Sequence, residues 1–197
     1  MNADLTEIIC ILDRSGSMAG IRSDAIGGFN TFLAEQQKIP GEARLTLVLF
    51  NHEYQRTLDA APLSEVQPLT EATYVPDGMT ALLDAVGRTI DEVGKRLADT
   101  PEAERPNAVL ICILTDGLEN RSSDYSREKV REMIEHQQEK YGWTFVFLAA
   151  NQDAFDEARK LGIRKEDAVN YDATADGVRE AYDVMSVRAS DSRRRRT

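Results

Sequence analysis

Residues 107–115 read Asn-Ala-Val-Leu-Ile-Cys-Ile-Leu-Thr, a run that is apolar on both faces. A strand of that kind must be covered from both sides, so it belongs at the centre of a sheet packed between two layers of helices. Strand-like and helix-like stretches alternate around it. Residues 7–12 and 43–50 are further strands. Residues 22–37 carry Ile26, Phe29, Phe32 and Leu33 at helical spacing, and Pro40-Gly41 closes that helix. Asn51-His52-Glu53 reads as a tight turn from which residues 54–58 pair back as a short antiparallel edge strand. After an irregular stretch at 60–76, a helix over 80–97 presents Leu82, Leu83, Val86, Ile90, Val93 and Leu97 on one face. A polar connector at 100–106 leads into the central strand. Helix 125–140, strand 143–149, helix 153–161, a short strand at 168–170 and a closing helix at 174–188, capped by Thr174, complete the pattern. Alternation of this kind predicts an α/β protein with a largely parallel sheet. No repeat or linker divides the chain, so one domain is expected over 1–190, followed by a short, basic, disordered tail at 191–197.

Charge and cysteine usage narrow the function classes. The 197-residue chain carries 24 basic and 34 acidic side chains, a net charge of −10, which argues against general nucleic-acid affinity. Without Arg193–Arg196 the body stands at −14. No segment approaches the ~18 consecutive apolar residues of a membrane span. The N-terminus lacks a basic stretch ahead of its apolar run, so a secretory signal is not expected and the location is read as cytoplasmic. Cys10 and Cys112 both sit inside strand-like runs and read as buried, reduced thiols. With only His52 and His136 beside them, they do not supply a zinc site, and both histidines read as loop or surface residues.

The chemistry concentrates in three loops. Asp13-Arg14-Ser15-Gly16-Ser17 follows directly on the first strand and delivers a carboxylate and two hydroxyls to its carboxyl end, the edge where open α/β sheets bind ligands. Gly16 is expected to let the chain curl so that both serines face one point. Asp77-Gly78-Met79-Thr80 places a threonine just before a helix, and Thr115-Asp116-Gly117 ends the central strand. If the first and central strands are neighbours, Asp13 and Asp116 approach closely, and a divalent cation is the simplest resolution of their repulsion. One carboxylate with two hydroxyls suits a hard divalent ion that keeps some water. Each piece also has a local reading: an Asp/Ser turn or helix cap, a threonine N-cap, an Asp-Gly turn. Their joint placement favours the metal. Glu119, Asn120, Asp77, Asn151 and Asp153 fall on the same edge as loop residues, with Asn120 the best supporting candidate.

Taken together, Asp13, Ser15, Ser17, Thr80 and Asp116 resemble, in order and spacing, the metal-ion-dependent adhesion site of von Willebrand factor A domains: Asp-x-Ser-x-Ser, a distant Thr, and a more distant Asp. The resemblance extends over roughly residues 5–190. It implies a three-layer, doubly wound, Rossmann-like fold with a mostly parallel central sheet, one antiparallel edge strand and helices on both faces. It implies Mg²⁺, with Mn²⁺ or Ca²⁺ as alternatives, bound directly by the two serines and directly or through water by Thr80, Asp13 and Asp116. The implied function is non-enzymatic: the ion bridges to a Glu or Asp of a partner protein within an intracellular complex. Arg14, Met18, Arg22, Met79, Arg121 and Tyr125 are candidates for the surrounding rim, and movement of the last helix on ligation is a further implication. The rival is a metal-dependent phosphohydrolase of haloacid-dehalogenase type using Asp13. There Ser15 stands where a second aspartate would serve as general acid/base, and no matching lysine motif follows.

Overall fold

A computed structural model describes residues 1–150 and 154–194. Six strands form one sheet in the order β3-β2-β1-β4-β5-β6. They are β1 (Asn2–Asp13), β2 (Glu42–Phe50), β3 (Tyr54–Pro62), β4 (Pro106–Thr115), β5 (Thr144–Ala149) and β6 (Ala168–Asn170). All neighbouring pairs are parallel except β2 with β3, which run antiparallel at one edge. The α/β class, the mostly parallel sheet and the antiparallel edge strand all stand as the sequence predicts. β1 and β4 lie side by side at the centre, with Leu12 beside Leu114.

The helices cover both faces. α1 (Arg22–Lys38) and α5 (Ala175–Arg194) lie on one side. There Phe29, Phe32, Ala181, Tyr182 and Met185 pack on Ile8, Cys10 and Leu12. α2 (Leu82–Asp99), α3 (Arg127–Tyr141) and α4 (Ala154–Lys160) cover the other. There Val86, Ile90, Val130, Ile134 and Ala158 pack on Ile9, Ile11, Ile111 and Ile113. Alternate residues of β1 and β4 thus feed opposite cores, which is why those runs are apolar throughout. Each such side chain, once fully buried, contributes roughly 1.5–3 kcal/mol.

Several expectations shift in detail. β3 continues to Pro62, with Ala60 in a left-handed conformation (φ 48°) where the pairing with β2 is irregular. α2 starts at Leu82, two residues beyond the expected point, and Thr80 lies outside it. α5 carries on to Arg194, four residues into the stretch read as a disordered tail. The Arg193 guanidinium explains the extension, since it donates to the carbonyls of Gln36, Ile39 and Gly41 at the end of α1. Thr174 does cap this helix, its hydroxyl accepting from the Gly177 N–H at 3.2 Å. Cys10 and Cys112 are in register on adjacent strands, buried and unbonded, and burial pushes both thiols up.

Glu7 is a charged residue in a central strand, fully buried on the α2 side. Arg96 of α2 donates to both its carboxylate oxygens, and the Thr46 hydroxyl donates to one of them at 3.2 Å. The Arg96 Nε also lies 3.2 Å from Asp59. The desolvation of the carboxylate is thereby offset by a fork-shaped charged donor. Among the described residues no helix is long and apolar enough to cross a membrane.

Candidate metal centre

The parallel pairing of β1 and β4 brings their final residues to the same edge. Asp13 is completely buried there and Asp116 nearly so, at 3% exposure. One Asp13 oxygen, Oδ1, accepts from the Ser15 backbone N–H at 2.7 Å, and Oδ2 accepts from the Thr115 hydroxyl at 2.6 Å. The serine loop curls into a 3₁₀ turn from Gly16 to Ile21 that aims both hydroxyls at the β4 end. Ser15 Oγ lies 3.1 Å from Ser17 Oγ, and Ser17 Oγ donates to Asp116 Oδ1 at 2.6 Å. Ser15 is buried and Ser17 exposed, so Ser17 stands at the mouth. Gly16 does not use a left-handed conformation. Its contribution is close approach, its N–H donating to the Gly78 carbonyl at 3.0 Å.

Thr80 reaches the same place from a third loop. A side-chain carbon placed on Gly117 would sit 3.1 Å from Thr80 Oγ1 and 3.5 Å from Ser17 Oγ, so any larger residue there would crowd the Thr80 hydroxyl. Asp13 accepts a local turn bond from the Ser15 N–H, but Ser15, at the start of the 3₁₀ turn, makes no side-chain cap bond, and Thr80 lies one residue before Ala81, the cap position of α2. The first turn of α2 is capped from elsewhere: Glu119 accepts from the Leu83 N–H at 2.9 Å and Ser122 from the Asp84 N–H at 3.0 Å. Asp84 in return accepts from the N–H groups of Ser123, Asp124 and Tyr125. The loop after Asp116 is thus fastened to α2 in both directions. Asn120 clamps Thr80 itself, accepting from its N–H at 3.0 Å and donating its own N–H to the Thr80 carbonyl at 3.1 Å. Asn120 thus holds the Thr80 backbone from the loop after Asp116. Asn151 and Asp153 lie outside the described residues.

Three contributors are not evident from the motif. Asn51, at the end of β2, donates from Nδ2 to the Asp77 carbonyl at 2.7 Å and accepts from the Ala81 N–H through its own carbonyl at 2.8 Å, fixing the Thr80 loop. Tyr74 is buried and donates to the Asp13 carbonyl. Tyr171 donates to the Thr115 carbonyl at 3.1 Å. Thr115 immediately precedes Asp116, and the β1–β4 register, one step beyond Leu12 and Leu114, sets it beside Asp13. The expected rim is partly corrected. Met18 is fully buried, turned inward by the 3₁₀ helix, and Arg22 is spent on the carbonyls of Tyr74 and Glu71. Tyr125 packs on Gly87 and donates to Asp91, along α2. Met79 and Arg121 are exposed at the edge, while Arg14 faces Glu53 at 3.6 Å.

The electrostatics fit a cation. Burial pushes the Asp13 carboxyl up to about 6 against the opposing hydrogen bonds from Thr115 and Ser15, with the neighbouring Asp116 charge adding to the rise. Burial also raises Asp116, opposed by Ser17. Two carboxylates and three hydroxyls form an all-oxygen set of the kind hard divalent ions take, and a positive charge among them would relieve what burial imposes. Among the described residues no group of three or more His, Cys, Asp or Glu offers an alternative centre.

No protein-family model and no curated protein matches the chain. Solved structures do match in fold. Proximal thread matrix protein 1 from the mussel byssus, with a zinc-occupied MIDAS motif, superposes with a TM-score of 0.64 at 16% identity, over 96% of this chain and 47% of that one. The vWF domain of the type V pilus tip protein Mfa5 from Porphyromonas gingivalis gives 0.64 at 12% identity, over 96% of both chains. Manganese-loaded TRAP protein from Plasmodium vivax gives 0.59 at 16% identity, over 92% of this chain and 73% of that one. This chain spans a little under half the length of the mussel protein. Sheet order, helix layers and these superpositions define a von Willebrand factor A fold.

Proposed function

We propose that this chain is a protein-interaction module whose docking element is a divalent cation held by Asp13, Ser15, Ser17, Thr80 and Asp116. Mg²⁺ is the first choice, with Mn²⁺ or Ca²⁺ able to replace it. The observation that carries the reading is the convergence of two buried carboxylates and three hydroxyls from separate loops, with Ser17 and Asp116 in contact across 99 positions of sequence. The zinc-occupied and manganese-loaded states of two proteins of similar fold support it.

When bound, the ion supplies a positive centre with an open position that attracts a carboxylate oxygen of a partner protein. The chain's own residues prepare that position. Thr115 and the Ser15 N–H fix the Asp13 carboxylate, Asn120 and Asn51 fix the Thr80 loop, and exposed Ser17 marks the side from which a partner approaches. The role is recognition and not catalysis. Asp13 is buried with both oxygens already engaged, a poor arrangement for in-line attack on a phosphate. The His52 ring lies against Gly78, and with an exposed ring it does not complete a triad. The proposed setting is a cytoplasmic complex. Because the chain is acidic overall, long-range steering opposes an acidic partner and the local ion must overcome it.

Isothermal titration with Mg²⁺ tests the reading. One site per chain is expected, lost in Asp116→Ala, and capture of the native partner is expected in Mg²⁺ but not in EDTA. Turnover of generic phosphate esters, abolished by Asp13→Asn, would instead establish the phosphohydrolase.

A further inference from the structure

Large hydrophobic side chains exposed one at a time need no explanation, but a group of them around a binding centre does. Val75, Met79 and Leu118 are 48%, 47% and 59% exposed, and all three belong to the two loops that carry Thr80 and Asp116. Met79 is strung between the other two loops of the centre. On one side the Gly78 carbonyl accepts from the Gly16 N–H, and on the other the Thr80 backbone is paired with Asn120 in both directions. Leu118 follows Gly117, whose Cα faces the Thr80 and Ser17 hydroxyls, and precedes Glu119, whose carboxylate accepts from the N–H groups of Leu83, Arg121 and Ser122. The residues on both sides of Met79 and the residue after Leu118 are held by these bonds, which favours the outward display of both side chains.

From this we infer that the partner segment presents its carboxylate next to a large apolar side chain, which rests on Met79 and Leu118 while the carboxylate reaches the ion. The inference rests on the ion-bridging reading and adds the neighbour of the acidic residue to it. Charge favours that neighbour over a second acid. Asp77 is exposed two residues before Met79, its Oδ1 accepting from the adjacent Gly78 N–H, so an additional carboxylate there meets like charge. An apolar side chain meets none, and by covering the rim it excludes water from the charged contact at the centre.

The test is calorimetric, on the full chain in Mg²⁺, with two capped pentapeptides: a central glutamate between two leucines, and the same glutamate between two serines. The leucine peptide is expected to bind about tenfold tighter, the scale of partly burying one leucine side chain. Both peptides are expected to lose binding in EDTA. In Leu118→Ser and Met79→Ser the preference is expected to shrink to about threefold or less. Equal affinity of the two peptides in Mg²⁺ would overturn the apolar rim and leave the bridge standing. So would a leucine preference that persists undiminished in both variants. Absence of Mg²⁺-dependent binding by either peptide at millimolar concentration would overturn the bridge, and the rim with it.

Discussion

Replacing Thr115 by valine keeps the shape of a fully buried side chain and deletes one hydroxyl. That hydroxyl is 2.6 Å from Asp13 Oδ2 and also accepts from the Gly117 N–H at 3.3 Å. The variant therefore leaves a buried carboxylate oxygen without its donor. Such an orphan costs about 1–3 kcal/mol, more when the group is charged. Taking about 2 kcal/mol, a chain of this size should melt roughly 4–8 °C lower in EDTA at neutral pH. Thr115 is also the strongest of the hydrogen bonds holding the Asp13 pKa down, so its removal pushes that carboxyl further up. With the Asp13 carboxylate no longer oriented, Mg²⁺ affinity should fall by about 10- to 100-fold. Thermal melts followed by circular dichroism and calorimetric Mg²⁺ titrations measure both effects. A Thr115→Val protein that melts within about 1 °C of wild type and binds Mg²⁺ equally well would refute the reasoning, because an orphaned buried charge cannot be silent.

Asp13→Ala and Asp116→Ala should each abolish Mg²⁺ binding while Thr80→Ala weakens it less; equal affinities in the three variants by calorimetry would show the centre to be elsewhere. The raised Asp13 carboxyl gives a pH dependence of defined sign. Its folded value of about 6 lies above the ordinary 3.8, so in EDTA its stabilising contribution is complete below that ordinary value and is lost as pH rises through about 6. Melting temperatures of wild type minus Asp13→Asn, a difference in which carboxylates remote from the Asp13–Asp116 pair cancel, should therefore fall as pH rises across that window. Arg96→Met strands the buried Glu7 charge and should cost about 3–5 kcal/mol in urea unfolding, with much of the loss recovered when Glu7→Gln is added. A double variant no more stable than the single one would show that the packing of Arg96, and not its charge, carries the effect.

The strands and the Asp13 loop are readable because their signals are local, whereas Thr80 and Asp116 join that loop only through the order of the strands along the sheet edge. The runs in β1, β2 and β4 are continuous, and Asp13, Ser15 and Ser17 lie within one turn of chain. What could not be read was whatever depends on a distant partner. Tyr74 meets Asp13 across 61 positions, and no periodicity marks a tyrosine in an irregular segment as a support for it. Thr115 was in plain view as the residue before Asp116, yet its bond spans 102 positions and needs the strand register to be seen. Met18 looked like rim because it follows the serine loop in sequence. The 3₁₀ turn rotates it into the core, which a motif cannot convey. Leu118 is illegible for the opposite reason. A single leucine in a polar loop reads as filler until the clamps that display it are known. The end of α5 is not legible in the sequence because four arginines suggest a solvated tail, whereas Arg193 caps α1.

The central claim is that these five side chains hold one divalent ion. Titration of the full chain with Mn²⁺, followed by electron paramagnetic resonance of the free ion, tests it most directly. One Mn²⁺ per chain should disappear from the free signal, Mg²⁺ should displace it, and Asp13→Ala should restore the free signal. A free Mn²⁺ signal undiminished by the wild-type protein, or diminished equally by Asp13→Ala, would contradict it.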